Sequence, residues 1–378
     1  MKIVIAPDSF KESLTALQVA DAVEAGFRTI FPDAQYIKLP MADGGEGTVV
    51  SIIEATQGTL KETEVTAPLG NKVTGFYGLS GDGKTAIIEM AAASGLHLVP
   101  PAQRDPRVTT TFGTGELILA ALDDGAEKII LGIGGSATND GGAGMMQALG
   151  VVFRDEQGNS LPFGGSALAE LASVDLSGLD PRLAKTEFVV ACDVNNPLCG
   201  PKGASATFGP QKGATPAIVS KLDAALRHYG EVIESLTGKS LSDVAGAGAA
   251  GGMGVPLMAW LDARMQPGIE MVIETLGLNS VVKDADLVIT GEGRMDSQTI
   301  QGKTPAGVAK AAKARGIPVI ALVGGMSDDY AVVHEHGIDA VFSVIPRICS
   351  LDEALAQAAV NIEVAARNIA AVLAMKIV

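Results

Sequence analysis

Cysteine, aromatic side chains and positive charge are all in short supply in this chain of 378 residues. The three cysteines, Cys192, Cys199 and Cys349, show neither CxxC pairing nor zinc-type spacing, which excludes a disulfide framework and fits a reducing cytoplasm. Aromatics make up only 4%, and 28 Lys and Arg face 43 acids, for a formal charge of −15. A nucleic-acid binder draws its affinity from clustered cations with interleaved aromatics, so no nucleic-acid partner is expected.

Long apolar runs are missing too. Residues 244–261 carry no charge, but Gly246, Gly248, Gly251, Gly252, Gly254 and Pro256 interrupt them. They read as a glycine-rich loop leading into a short helix, with no membrane span. The run IVIA between Lys2 and Pro7 is too short for the apolar region of an export signal, so none is expected. The four histidines form no zinc or triad pattern. His334 and His336 stand two apart on an expected helix, where they cannot share a face.

What is abundant is glycine, at 46 residues, and small aliphatic side chains within a 47% hydrophobic composition. Such a core packs in close layers and favours α/β architecture over a β-sandwich. A chain of this length divides most comfortably into two domains.

The start reads strand (residues 2–6), loop, then an amphipathic helix entered through Thr15 as N-cap, with Ala16, Ala20, Val23, Phe27 and Ile30 near helical spacing. A second strand at residues 36–39 leads to a glycine loop and a helix near 49–56. The last third repeats this grammar. Strands at 287–290, 319–322 and 340–344 alternate with helices at 305–315 and 330–336, before a long Ala-rich helix from about 351 to 373. Alternation of this kind is the sequence form of a doubly wound parallel sheet. The middle differs: a hairpin over 62–81, a helix at 115–124, strands at 128–133 and 187–191, and a helix at 216–236. The expected organisation is a parallel-sheet domain built from residues 1–61 and 268–378, with a mixed α/β domain, residues 62–267, inserted between them.

Four glycine-rich stretches carry acids where strands should end: MADGGEGT (41–48), GIGGSATNDGGAG (132–144), VACDVNNP (190–197) and ITGEGRMDSQT (289–299). Glycine lets backbone N–H groups close around an anion, and a helix N-terminus adds a favourable dipole. Carboxylates alone would repel phosphate, so the combination implies a divalent cation between acid and phosphate, and hence a phosphate-handling enzyme. Against an acidic surface, positive charge has to be local, and Lys11, Lys212, Arg294 and Lys303 all fall in loop-like contexts.

Each stretch supplies candidates. In the 132–144 loop Ser136, Thr138 and Asn139 are donors to phosphate, beside Gly134 and Gly135, and Asp140 is a possible metal holder. In ITGEGRMDSQT, Glu292, Arg294, Asp296 and Gln298 alternate and project from one side if the segment is extended. Asp8, Ser9 and Lys11 follow the first strand, while Asp43 and Glu46 follow the second. Asp193, among Asn195, Asn196 and Pro197, is the preferred general base. Lys212 sits with Gln211 on FGPQKGA, as a contact to nucleotide or as part of a turn.

One sharp pattern points elsewhere. Gly78 to Thr85 satisfies the spacing G-x-x-x-x-G-K-T of a phosphate-binding loop, but that motif needs a strand before it and a helix after it. Here residues 73–79 and 86–90 both read as strands, and residues 80–83 form the turn between them.

Taken together, MKIVIAPDSFKES, PMADGGEGT, TTFGTGELI, GIGGSATNDGG, ACDVNNPL, FGPQKGA, GAAGGMG and ITGEGRMDSQT resemble the bacterial class I glycerate kinase family, from Met1 to the last helix. The resemblance implies a two-domain fold with a Rossmann-like part, and ATP-dependent phosphorylation of D-glycerate to 2-phosphoglycerate. Joined to the residues above, it implies that the loop with Gly134, Gly135, Ser136, Thr138, Asn139 and Asp140 meets the nucleotide phosphates, with Lys212 nearby. Mg²⁺ would bridge them to Asp296, Glu292 and Asp43, Lys11 and Arg294 would receive the glycerate carboxylate, and Asp193 would orient or deprotonate the hydroxyl. Two alternatives stay open: a kinase for another small sugar acid, and a non-catalytic sensor of phosphorylated acids. Oligomeric state is not legible.

Overall fold

The computed structural model describes every residue except Glu46 and residues 376–378, so the expectation for Glu46 lies outside the described residues. The chain forms two compact units: Met1–Gln57 with Pro267–Val378, here the terminal unit, and Gly58–Gln266, the central unit. Both are α/β.

The terminal unit is built on a five-stranded, wholly parallel sheet. Its order is Ala340–Ser343, Val319–Met326, Leu287–Met295, Lys2–Ile5, Gln35–Lys38. The three middle strands read KIVI, LVIT and VIALV, and most of these side chains are buried, as expected of a parallel sheet covered on both faces. The helix Ala16–Arg28 opens with the expected cap: Thr15 Oγ1 accepts from the Gln18 N–H, and the Gln18 side chain accepts from the Thr15 N–H. It packs on the helix Ala358–Ala374 so closely that a Cβ on Gly26 would lie 2.4 Å from the Glu363 carbonyl oxygen. Phe27, Val23, Ile362 and Ile369 join Ile3, Ile5 and Ile289 in one apolar cluster.

Three details of this unit differ from the sequence expectation. The strand beginning at Leu287 continues to Met295, because Val319–Met326 pairs with it along that whole length and the Asp8 N–H donates to the Gly291 carbonyl on its other side. The expected long C-terminal helix is two helices, Leu351–Ala356 and Ala358–Ala374, parted at Gln357. Residues Tyr330–His336 wind as a 3-10 helix.

The central unit has a six-stranded mixed sheet in the order Arg264–Gln266, Glu187–Ala191, Lys128–Gly132, Thr85–Glu89, Lys72–Leu79, Thr59–Thr66. Its first four strands are parallel to one another, and Lys72–Leu79 runs antiparallel to both of its neighbours. The hairpin of Lys72–Leu79 and Thr85–Glu89 confirms that Lys84 stands on a turn between strands; it is exposed and pairs with Glu127 at 3.3 Å. The helix Pro216–Thr237 starts with Thr215 as N-cap and Pro216 in the first turn, and ends at Gly238 with φ 69°. Residues 244–261 form turns and two short helices, Ala249–Gly252 and Gly254–Trp260. Among the described residues no helix is long and apolar enough to cross a membrane.

Candidate active site

In open parallel sheets, ligands gather where strands end at their carboxyl side. In the terminal unit these ends meet in a cavity of ≈ 810 Å³, and the sequence-predicted Lys11, Asp43, Glu292, Arg294 and Asp296 all line it, together with Asp8 and Lys303. A larger cavity of ≈ 1040 Å³, over the helices Gly268–Leu276 and Thr304–Lys313, has Lys310 and Lys313 on its wall. Both lysines are already committed, to Glu270 and Asp339, so size does not select the site.

The charges in the smaller cavity are arranged unevenly. The strand Leu287–Met295 buries Glu292, and its Oε1 accepts from Thr299 Oγ1 at 2.6 Å. Lys303 lies 3.6 Å from Glu292 and 3.5 Å from Asp296. Burial dominates over these favourable partners and, with Asp8 and Asp296 close by, pushes the Glu292 carboxyl up to about 7. Asp296 turns back to accept from the Gln298 N–H at 2.9 Å. Asp43 likewise accepts from the Gly45 N–H at 3.0 Å.

Asp8 is held on both oxygens. Thr304 Oγ1 donates to Oδ2 at 2.6 Å, and the Ser9 N–H donates to Oδ1 at 2.7 Å. Burial raises its pKa above the ordinary value, the hydrogen bonds from Thr304 and Ser9 oppose that, and the Asp43 charge adds to it. Thr304 is the buried first residue of the helix Thr304–Lys313. It had no place in the sequence reading, and no local signal links positions 8 and 304.

Lys11 and Arg294 are exposed, and among the described residues neither has an acidic partner within ion-pair distance. They are the cations left over to meet an added anion. Five carboxylates, counting Glu12, face three cations on the cavity wall. Such an excess suits a divalent cation bound with a phosphate. However, among the described residues no three His, Cys, Asp or Glu side chains converge as a metal-holding group. Asp296, Glu292 and Asp43 share the cavity without forming a cage, which is compatible with Mg²⁺, an ion usually held by one or two carboxylates, phosphate oxygens and water.

The glycine-rich loop of the central unit is organised differently. It follows the strand Lys128–Gly132, and only Gly134 and Gly135 remain exposed. Ser136, Thr138, Asn139 and Asp140 are buried. Asp140 accepts from the Thr111 N–H and Oγ1, both at 2.8 Å, and from the Gly142 and Gly144 N–H groups at 3.2 Å. Its oxygens are spent on shaping the loop, so the carboxylate presents no exposed oxygen to a metal. Lys212 is buried as well. Its Nζ donates to Ser136 Oγ at 2.8 Å and to the Thr138 carbonyl at 2.6 Å. Desolvation lowers its pKa to about 7, against the pull of Asp140. Asn139 Nδ2 donates to Ser205 Oγ at 2.9 Å, while Thr138 Oγ1 and Asn139 Oδ1 are buried without a hydrogen-bond partner among the described residues, and the Gly134–Gly135 backbone is the outward part of the loop. Asp193 follows the neighbouring strand Glu187–Ala191 in this same unit and is exposed.

The family model described as the glycerate kinase family matches residues 3–374. The glycerate kinase of Haemophilus influenzae is 61% identical over 376 residues, covering 100% of both chains. The glycerate 2-kinase of Escherichia coli K12 is 60% identical, covering 99% of this chain and 98% of its own. A solved Salmonella typhimurium LT2 structure, described as a candidate glycerate kinase 2, superposes with a TM-score of 0.92 at 60% identity, covering 99% of this chain and 98% of its own. An α/β architecture with these matches along its whole length defines the chain as a kinase. It belongs to the glycerate kinase family.

Proposed function

We propose that the chain transfers the γ-phosphoryl group of ATP to D-glycerate and releases 2-phosphoglycerate and ADP. The observation that carries this reading is the pair Lys11 and Arg294, two cations with no acidic partner within ion-pair distance among the described residues, on the wall of a cavity that also buries carboxylates. A small hydroxy acid offers such a site one carboxylate and one hydroxyl. The Arg294 guanidinium can grip the carboxylate with two parallel hydrogen bonds, and Lys11 adds a point charge. The names of the Haemophilus and Escherichia coli relatives support the substrate.

Asp43, Glu292 and Asp296 are the residues that would hold Mg²⁺, which when bound would neutralise charge on the transferring phosphate. Lys303 keeps Glu292 and Asp296 oriented and partly balanced before any ligand arrives. For the nucleotide, the exposed backbone at Gly134 and Gly135 is the part of the glycine-rich loop left for phosphate. The unpaired thiols Cys192, Cys199 and Cys349 support a cytoplasmic setting.

The test combines ADP release, measured over a panel of small hydroxy and sugar acids with and without Mg²⁺, with ³¹P NMR of the product. D-glycerate should give the fastest Mg²⁺-dependent release and a phosphate on its C2 oxygen. Phosphorylation at C3, or a faster sugar acid, would replace the proposed reaction. Binding without ADP release would make the protein a sensor.

A further inference from the structure

We propose that Asp8 is the catalytic carboxylate that takes the proton of the acceptor hydroxyl, and that Thr304 positions it. This rests on the hydroxy-acid kinase reading above. The acids of the cavity are distinguished by their partners. Glu292 and Asp296 both have the Lys303 ammonium within 3.6 Å, and a carboxylate shared with an ammonium is a weakened proton acceptor. Asp43 is tied to its own turn through one oxygen. Asp8 has no Lys or Arg within ion-pair distance among the described residues, yet both its oxygens are fixed, by Thr304 Oγ1 and by the Ser9 N–H. Ser9 Oγ also donates to Oδ1 at 3.3 Å, so Oδ1 is filled, whereas Oδ2 accepts only from Thr304 among the described residues and keeps a second lone-pair direction for the incoming proton.

The backbone adds to the placement. The Asp8 N–H donates to the Gly291 carbonyl at 2.9 Å, which anchors residue 8 to the strand that carries Glu292 and Arg294. Lys11 follows three residues on, and Gly293 sits close enough that a Cβ there would be 3.7 Å from the Lys11 backbone nitrogen. The cations assigned to the substrate carboxylate line the same cavity as Asp8. Asp193, the base expected from sequence, is an exposed residue of the central unit.

The step balances as follows. The O–H bond of the acceptor breaks and its proton passes to Asp8. The acceptor oxygen bonds to the γ-phosphorus of ATP, and the bond from that phosphorus to the β,γ-bridging oxygen breaks, releasing ADP. Asp8 then returns its proton to solvent. General-base assistance of this sort is worth roughly 10²–10⁴ in rate.

Four variants and two readouts test the assignment in the full-length enzyme: steady-state kinetics, and Mn²⁺ binding in the presence of ADP followed by electron paramagnetic resonance. Asp8→Asn should lower kcat at least roughly a hundredfold, with KM for D-glycerate within about threefold and Mn²⁺ affinity unchanged. Thr304→Val should lower kcat about tenfold and Thr304→Ser should restore it, because the hydroxyl of residue 304, and not its methyl group, holds Asp8 Oδ2. Asp193→Asn should turn over far faster than Asp8→Asn. Near-normal turnover of Asp8→Asn in a folded protein would overturn the proposal. Loss of Mn²⁺ binding in Asp8→Asn would overturn it in favour of a cation ligand, and a collapse confined to Asp193→Asn in favour of Asp193. A wild-type enzyme with no turnover on any hydroxy acid would remove the kinase substrate reading itself, and this assignment with it.

Discussion

Replacing Glu292 with Gln isolates the effect of burying a carboxylate in the cavity of the terminal unit. The substitution keeps the shape and the oxygen that accepts from Thr299, and removes only the ionisable oxygen facing Lys303. Burial raises the folded-state pKa from the ordinary 4.5 to about 7. Between those values the folded chain holds a proton that the unfolded chain releases. The contribution to stability is therefore fully present below about pH 4.5 and is lost as the pH rises through about 7.

The gap corresponds to ~3 kcal/mol at pH 8, since each pH unit is worth about 1.4 kcal/mol. That figure is already net of the partly exposed Lys303 pair, whose charge pulls the carboxyl's pKa down. The net gain for Glu292→Gln is then ~3 kcal/mol at pH 8, or roughly 6–12 °C in Tm for a unit of this size. At pH 4.5 wild type and variant should melt together, because the native carboxyl is then neutral as well. Differential scanning calorimetry at the two pH values in EDTA reads this directly. Destabilisation at pH 8 would mean that the ion pair with Lys303 outweighs desolvation, and equal stabilisation at both pH values would mean that the carboxyl is not the titrating group.

Two other outcomes bear on motif and packing. Lys84→Ala should leave kcat/KM for ADP formation within about twofold, since Lys84 is an exposed turn residue paired with Glu127; a thousandfold loss would reinstate a phosphate-binding loop at residues 78–85. Gly26→Ala gains ~1 kcal/mol of helix propensity, but its Cβ must displace the Glu363 carbonyl and the Ala366 side chain. Overpacking of that kind costs ~1–3 kcal/mol or more, so calorimetry should show a lower Tm, and a raised Tm would refute the close helix contact.

Much of the fold was written in local pattern. KIVIA, the Thr15 cap, the 187–191 strand and the 216–236 helix each declare themselves through periodicity or end signals. The hairpin at residues 72–89 could be told from a phosphate-binding loop because a second apolar run followed the turn. What stayed hidden depends on pairing at a distance. Gly291, Glu292, Gly293 and Arg294 look like loop residues, and only the pairing along Val319–Met326 makes them strand.

The candidate site divides in the same way. Residue types marked Lys11, Asp43, Glu292, Arg294 and Asp296, and the fold gathers them in one cavity. Direction was illegible for Ser136, Thr138, Asn139, Asp140 and Lys212, because whether a polar side chain points into a loop or out of it depends on donors such as Thr111 that are remote in sequence. The contact of Asp8 with Thr304 had no local trace for the same reason.

The interior position of Lys2–Ile5 in its sheet, between Leu287–Met295 and Gln35–Lys38, bears on how the chain matures on the ribosome. One neighbour, Gln35–Lys38, is synthesised almost at once, whereas the other begins at Leu287. At roughly 5–20 residues per second, the opening strand must wait on the order of 15–60 s with one edge bare, while the whole of Gly58–Gln266 emerges and can fold. That apolar edge lacks its partner strand throughout the interval, so nascent chains stalled before residue 287 should be the ones most prone to capture by chaperones or to clumping with one another.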